Sequence, residues 1–224
     1  MNVAALFSGG KDSVFAVYIA KQFGWNVTHL ITLQPEKPDS WMFHSINIHL
    51  TDLLAETIGI PLIKKSTKGE KEKELDDLKD ILRNLSIDGV ISGAIASEYQ
   101  RTRIEKICHE LHIKSFTPLW HKNQELLLRE QVSAGFHSII VGVFAHGFDE
   151  TWLGKPIDEK TIGKLARLRT KYGINAAGEG GEFETLVLNG PLFKKKIVLD
   201  EISKEWRRDS GVLHVKKAHL EKKS

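Results

Sequence analysis

The chain has 224 residues, of which 41% are apolar and 27% are charged, as in an ordinary soluble globular protein. Its 32 basic residues barely exceed its 29 acidic ones, and a net charge of +3 is too small to argue for a nucleic-acid partner. No apolar run approaches membrane-spanning length and no signal peptide precedes the first predicted strand, so we expect a cytoplasmic protein without a membrane partner.

The first predicted turn carries a run of small residues with one lysine and one carboxylate. Residues 3–7 form a short apolar run, and residues 14–20 fit a buried helix, so residues 8–13 lie in a strand-to-helix turn. Small residues let the backbone approach an anion, and the amide groups and dipole of a helix N-terminus favour negative charge. Lys11 adds a mobile cation and Asp12 a ligand for Mg²⁺. The pattern predicts a pyrophosphate-binding loop made by Ser8, Gly9, Gly10, Lys11, Asp12 and Ser13.

Two other phosphate-binding motifs do not fit this turn. A Walker loop requires glycine five residues before the glycine of its Gly-Lys pair and a hydroxyl residue after the pair, where this chain has Ala5 and Asp12. A dinucleotide fingerprint requires G-x-G-x-x-G, but this turn offers only a glycine pair, and Gly178-Glu179-Gly180 is followed by Phe183 where the third glycine belongs. The remaining alternative is an ordinary glycine-rich turn that Asp12 or Ser13 caps.

The first half of the chain alternates strand-like and helix-like stretches, which is typical of a parallel sheet covered by helices. Predicted strands cover residues 26–33, 61–65, 88–92 and 114–117. Predicted helices cover residues 45–58 and 70–85, and another helix is expected after Gly93. Cys108 lies in that last helix and is the only cysteine, which excludes an internal disulfide and a cysteine-rich metal site. We expect it to be a small core residue.

The second half has a less regular pattern that predicts a smaller mixed α+β domain. Helices are expected from residue 123 to 135 and over 159–172, with strands over 137–144, 185–188, 195–200 and 212–218. Pro118 is predicted to mark the boundary between the two domains. The sequence therefore predicts an ATP-binding α/β domain over residues 1–120 and a smaller α+β substrate domain over residues 121–224.

Three further segments hold candidate substrate-binding or catalytic residues. Residues 97–103 begin a helix beyond a buried strand, where α/β sheets bind ligands, and they include Arg101 and Arg103. Ser97 and Gln100 in the same segment also fit a purely structural capping box. Residues 178–185 place Glu179, Glu182 and Glu184 among three glycines, and a solvated turn is the alternative. Residues 40–44 form an aromatic cluster ending at His44, for which a domain or subunit contact is as good an explanation as ligand stacking.

The sequence of residues 8–13, SGGKDS, resembles the pyrophosphate loop of the N-type ATP pyrophosphatases. This resemblance implies an adenine nucleotide alpha-hydrolase-like fold and cleavage of ATP between its α- and β-phosphates. An acceptor oxygen would be adenylated, and a nucleophile would then displace AMP.

The ordered set SGGKDS, SWMFH, SGAIASEYQRTR, PLW, WLG and GEGGEFET resembles the diphthine–ammonia ligase family, in a short archaeal-type form. The resemblance implies amidation of diphthine on translation elongation factor 2 with ATP, Mg²⁺ and ammonium, without direct nucleic-acid binding. It implies that Lys11, Arg103, Glu182 and Glu184 are catalytic and that residues 8–13 bind ATP, with Mg²⁺ on Asp12. The residues expected to bind substrate are His44, Ser97, Glu98, Tyr99, Gln100, Arg101 and Glu179.

Two alternatives stay open from the sequence alone. A tRNA-modifying enzyme of the same superfamily would adenylate a base oxygen, although thiolating versions typically use paired cysteines and Cys108 has no companion. A non-catalytic ATP-binding module would share the fold, although carboxylates in residues 178–185 argue against it. A homodimer is a further hypothesis, with the aromatic residues 41–43 in the subunit contact.

Overall fold

The computed structural model describes residues 1–35, 46–67 and 73–223. The described chain divides into two compact units, one made of Met1–Ser8 and Asp12–Trp120 and the other of Gly9–Lys11 and His121–Ser224. The short segment Gly9–Lys11 is therefore grouped with residues more than a hundred positions further along the chain.

The first unit is built on a parallel sheet. Its strands are β1 (Asn2–Leu6), β2 (Asn26–Pro35), β3 (Leu62–Thr67), β4 (Gly89–Ile91) and β5 (Lys114–Phe116). Its helices are α1 (Lys11–Gln22), α2 (Thr51–Ile58), α3 (Lys73–Arg83) and α4 (Glu98–Glu110). All four strand pairings are parallel, in the order β3-β2-β1-β4-β5. The expected parallel sheet with covering helices is confirmed.

The order of the strands locates a ligand-binding edge. From β1 the chain moves outward to β2 and β3, and it then returns to place β4 on the other side of β1. In such sheets ligands bind beyond the carboxyl ends of the two strands at which the order reverses. These strands are β1, which leads into Ser8, and β4, which leads into Ser92.

The core on one face of this sheet explains the amphipathic pattern of α3. Leu78 and Leu82 of α3 and Ile104 and Cys108 of α4 are buried in one cluster with β1, β2 and β4. The apolar stripe of α3 thus faces the sheet, while Asp76 and Asp80 are exposed. Glu74 in the first turn is buried, and Asp77 pairs with Lys65 of β3. Burial raises the pKa of the Cys108 thiol to about 11.

The second unit contains the smaller mixed α+β part that the sequence predicts. Its elements are α5 (Gln124–Ser133), β6 (His137–Val143), α6 (Glu159–Tyr172), β7 (Phe183–Asn189), β8 (Lys195–Arg207) and β9 (Ser210–Lys222). The four strands form a sheet in the order β7-β6-β9-β8, and all of its pairings are antiparallel.

The hairpin of β8 and β9 is much longer than predicted. The strands were expected over residues 195–200 and 212–218, but each has 13 residues, and the pair Arg207 and Ser210 leaves only Arg208 and Asp209 in the turn. Two-residue hairpin turns usually contain glycine because they need a positive φ, and here Arg208 itself has φ 54°. The turn therefore lacks the residue by which a hairpin is normally recognised.

Two predicted helices differ from the structure at their beginnings. The helix expected over residues 45–58 begins with a 3₁₀ turn, Ile48–Leu50, and continues as α2. The helix expected from residue 70 is described from Lys73 onward. Residues 40–45, which include the aromatic cluster and His44, lie outside the described part of the chain. None of the helices described is long and apolar enough to span a lipid bilayer.

Gly93 packs directly against the first turn of α1. A Cβ atom at this position would lie 2.8 Å from the Asp12 carbonyl carbon and 2.8 Å from the Ser13 nitrogen. Both are backbone atoms in the first turn of a helix, which cannot move aside as the end of a flexible side chain can. The loop that follows β4 therefore fixes the position of residues 12–13.

We predict that Gly93→Ala destabilises the protein by about 1–3 kcal/mol, because the added methyl group must displace the backbone of residues 12–13. Urea denaturation followed by circular dichroism would measure the change. Gly163→Ala is the matched control, since no atom lies within 4 Å of its Cβ position and the glycine is inside α6, where alanine is the better helix former. Equal stability of the Gly93→Ala variant and the wild type would contradict this packing.

We also predict that native Cys108 resists alkylation. With a pKa of about 11, roughly 0.1% of the thiol is ionised at pH 8, and the residue is only 1% exposed. Iodoacetamide at pH 8 should therefore leave the native protein unmodified by mass spectrometry under conditions that label the urea-unfolded chain completely. Rapid labelling of the native protein would show that the cysteine is accessible.

Candidate functional site

The beginning of the glycine-rich loop is held by backbone and hydroxyl contacts within the first unit. The Phe7 nitrogen donates to the Ile31 carbonyl at 2.8 Å, and the Thr32 hydroxyl donates to the Phe7 carbonyl at 2.6 Å. The Ser8 nitrogen donates to Ser13 Oγ at 3.3 Å, and the two serine hydroxyls are 3.2 Å apart. The loop thus begins at a fixed point beyond β1 and closes on the first turn of α1.

The middle of the loop runs beside β7 in the second unit. Gly9 has φ 81°, a conformation in which any side chain would be strained. Its carbonyl accepts a hydrogen bond from the Val187 nitrogen at 3.1 Å, and the Lys11 nitrogen donates to Thr185 Oγ1 at 3.1 Å. Gly10 lies between these two contacts, so all three residues follow the path of the strand.

The Lys11 side chain is almost completely buried in this unit. It is 4% exposed, its Nζ donates to the Ala177 carbonyl at 2.5 Å, and the ammonium lies 5.5 Å from the centre of the Phe183 ring. An ammonium group carries three donors, so the bond to Ala177 does not by itself prevent it from binding a phosphate. The structure therefore brings Lys11 of the first motif together with residues 178–185, which we call the glycine- and glutamate-rich segment.

The glycine- and glutamate-rich segment is braced by its own side chains. Glu182 Oε1 accepts from the Asn175 nitrogen at 2.8 Å, and Oε2 accepts from the Gly180 nitrogen at 2.8 Å. Gly178 and Gly181 have positive φ values, 77° and 83°. Glu184 lies on β7 opposite Gly142 of β6, and Glu184 is half-buried. The two glutamates expected to be catalytic therefore occupy different surroundings, one in a turn and one on a strand.

Four residues of this site were not predicted from the sequence as functional. Ala177 supplies its carbonyl and Thr185 its hydroxyl to Lys11, as described above. Asn175 Oδ1 accepts from the Ala177 nitrogen at 2.9 Å, and Gln124 Oε1 accepts from the Ala176 nitrogen at 2.8 Å. Only Thr185 falls within a recognisable motif. A carbonyl acceptor carries no signal in the residue type, so the Ala177 contact could not have been found from the sequence.

At the start of α4 the capping residue is Ser97, whose hydroxyl accepts from the Gln100 nitrogen at 3.3 Å. Arg101 forms ion pairs with Glu98 and Glu105, each at 3.0 Å, and its guanidinium lies 4.6 Å from the centre of the Trp120 ring. The hydrogen bond to Glu98 raises the pKa of the Arg101 guanidinium above its ordinary value. These contacts hold the guanidinium between two glutamates of α4 and the Trp120 ring.

Arg103 stacks on Tyr99 one turn earlier in α4. Its guanidinium lies 3.6 Å from the ring centre, and Nη1 donates to the Tyr99 carbonyl at 3.4 Å. The Tyr99 hydroxyl is buried and has no hydrogen-bond partner among the described residues. Arg103 also lines a groove beside α3, together with Asp76, Lys79 and Glu110. These contacts place the Arg103 guanidinium against α4 and beside α3.

The described part of the chain contains no group of three or more metal-ligating side chains. Asp12 supplies one carboxylate in the first turn of α1. Mg²⁺ is usually bound by one or two carboxylates together with substrate phosphates and water, so a single aspartate beside a phosphate-binding loop suits it. The residues present thus fit Mg²⁺ that arrives with a nucleotide.

Comparison with known proteins assigns both halves of the chain to one family. The diphthamide synthase N-terminal domain matches residues 1–115, and the diphthamide synthase C-terminal domain matches residues 123–220. A solved structure described as a predicted subunit of tRNA methyltransferase from Methanocaldococcus jannaschii covers 85% of this chain and 98% of its own, with a TM-score of 0.46 and 21% identity. At that level the similarity says nothing about function.

The curated relatives agree with the family match. The diphthine–ammonia ligase of Danio rerio is 35% identical over 100% of this chain and 98% of its own length. The Bos taurus enzyme of the same name is 37% identical over 89% of this chain and 83% of its own. Two domain matches and similarity along the whole chain show that the protein belongs to the diphthine–ammonia ligase family.

Proposed function

We propose that this protein is an ATP-dependent ligase that amidates the carboxylate of diphthine with ammonium and releases AMP and pyrophosphate. The observation that carries the proposal is the family similarity over the full chain. The geometry supports it, because Lys11 of the predicted pyrophosphate-binding loop donates hydrogen bonds to Thr185, at the end of the glycine- and glutamate-rich segment, and to the Ala177 carbonyl directly before it.

The proposed reaction has two steps. A carboxylate oxygen of diphthine attacks the α-phosphorus of ATP, the bond to the oxygen that bridges the α- and β-phosphates breaks, and pyrophosphate leaves. Ammonia then attacks the acyl carbon, the bond to the AMP oxygen breaks, and one nitrogen-bound proton is lost. The protein contributes mainly positioning and charge stabilisation to the first step.

In this proposal residues 8–13 bind the β- and γ-phosphates, and Asp12 holds Mg²⁺, which supplies positive charge to the phosphate oxygens when it is bound. Gly9 supports the role because its positive φ and missing side chain permit close backbone approach. The β1 and β4 edge supports it as well, because that is where the strand order reverses. The Ser92 hydroxyl at this edge is buried and has no protein partner in the residues described, as expected for a group that meets a ligand.

The second step needs a base, because ammonium must lose a proton before its nitrogen can attack. Glu182 and Glu184 are the two candidates. Both oxygens of the Glu182 carboxylate accept backbone amides, which argues against Glu182 as this base. Arg103 is proposed to guide the incoming carboxylate or to stabilise the α-phosphate.

Substrate contacts are proposed for two further groups of residues. Ser97, Glu98, Tyr99, Gln100 and Arg101 stand at the start of α4, beyond the loop that follows β4. Glu179 stands in the glycine- and glutamate-rich segment, and His44 lies in the part of the chain that is not described. The proposed protein substrate is translation elongation factor 2, which places the reaction in the cytoplasm. We also propose a homodimer.

We predict that the purified protein, mixed with ATP, Mg²⁺, ammonium and elongation factor 2 that carries diphthine, lowers the mass of the factor by about one dalton. This is the change from a carboxylate to an amide, and mass spectrometry of the factor would detect it. AMP and pyrophosphate should appear in equal amounts with the amide. Formation of ADP and orthophosphate instead, or loss of a modified nucleoside from tRNA in a deletion strain, would contradict the proposal.

We predict that Lys11→Ala lowers the rate of ATP–pyrophosphate exchange in the presence of the diphthine-bearing factor by about 10²–10³-fold, because a fixed positive charge on the leaving group is lost. Exchange of labelled pyrophosphate into ATP would measure it. Lys21→Ala is the matched control, since this lysine is exposed in the last turn of the same helix. Full exchange by Lys11→Ala would show that the loop has another role.

A further inference from the structure

We infer that Glu182 is a positioning residue that holds Lys11 in place through the backbone of residues 175–177, and that it is not the base that deprotonates ammonium. The inference rests on the proposed function, and it assigns this glutamate to nucleotide binding. The nearby Glu184 keeps the role in the second step.

The Glu182 carboxylate closes the segment that begins at Asn175. One oxygen accepts from the Asn175 nitrogen and the other from the Gly180 nitrogen, each at 2.8 Å. The first residue of the segment is thus tied to its far end. A carboxylate can accept at both oxygens, whereas the glutamine side chain has one acceptor oxygen and one donor nitrogen. Glutamine therefore cannot replace both bonds.

The segment that Glu182 closes has all three of its leading amides bonded to side chains. The Asn175 nitrogen is held by Glu182, the Ala176 nitrogen by Gln124 and the Ala177 nitrogen by Asn175 itself. This leaves the backbone around Ala177 little freedom to rotate. The Ala177 carbonyl is thereby fixed in direction, and it is this carbonyl that accepts the Lys11 ammonium at 2.5 Å.

Gly180 shows that the position of the carboxylate matters. A Cβ atom on residue 180 would lie 2.8 Å from Glu182 Oε1 and 3.0 Å from Oε2. Gly180 does not have a positive φ, so alanine is compatible with its backbone conformation. The Gly180→Ala change should therefore displace the carboxylate while leaving its charge and chemistry intact.

The test is a double-mutant cycle read by nucleotide affinity. Binding of α,β-methylene-ATP with Mg²⁺, an analogue whose α–β bridge cannot be cleaved, is measured by calorimetry for the wild type, Glu182→Gln, Lys11→Met and the double variant. We expect Glu182→Gln to weaken binding about tenfold and Gly180→Ala to weaken it similarly. The double variant should bind no more weakly than Lys11→Met alone, because Glu182 acts through that lysine.

Asp149→Asn is the matched control for loss of one negative charge in a loop of the same unit. Asp149 Oδ1 accepts from the Thr151 nitrogen at 2.9 Å, and asparagine retains that acceptor oxygen. Its affinity for the analogue should equal that of the wild type. If Glu182→Gln does not fold, the same cycle is run with Gly180→Ala in its place.

Two results would overturn the inference. Wild-type affinity of Glu182→Gln, with a raised KM for ammonium or a shifted pH profile of amide formation, would make this glutamate the base. Losses of affinity that multiply in the double variant would show that Glu182 does not act through Lys11. Because the analogue binds without any acceptor, these results are independent of whether diphthine is the true substrate, which the mass measurement on the factor decides.

Discussion

The hydrogen bond from the Lys11 ammonium to the Ala177 carbonyl joins residues that are 166 positions apart in the chain. Burying a lysine is costly unless its charge meets an acceptor, and this carbonyl supplies one. The backbone amide of the same lysine is held by Thr185. Because Gly9 also bonds to Val187, the three residues Gly9–Lys11 belong to the unit formed by the second half of the chain. The proposed phosphate site depends on these bonds.

The two halves of the chain contribute different chemistry. The strand order of the parallel sheet creates the edge at which sheets of this topology bind ligands, and this is a property of topology that needs few particular residues. The second unit supplies polar side chains that hold backbone amides, in the segment from Asn175 to Glu182. The edge of a parallel sheet is enough to bind a nucleotide, whereas activation of a carboxylate also requires charges at fixed positions.

The fold was largely predictable because its elements follow local rules. The period of the apolar residues predicted α3, and the position of Gly173 predicted the end of α6. The β8–β9 hairpin was underestimated because Arg208 occupies a turn position that glycine usually takes. The site was predictable only as two motifs. Their contact at Lys11, the packing of Gly93 on α1 and the stacking of Arg101 on Trp120 depend on tertiary structure, which no local pattern encodes.

The position of β8 has a consequence for the behaviour of the protein at high concentration. This strand ends the antiparallel sheet, so one of its backbone edges has no partner strand within the described residues. Exposed edges invite pairing with other copies, and charged side chains along them discourage it. Lys204 and Arg207 place such charges on β8, while Ile202, 47% exposed, is its apolar exception. Colloidal stability should therefore depend on the charged residues of this strand, although none of them belongs to the proposed catalytic machinery.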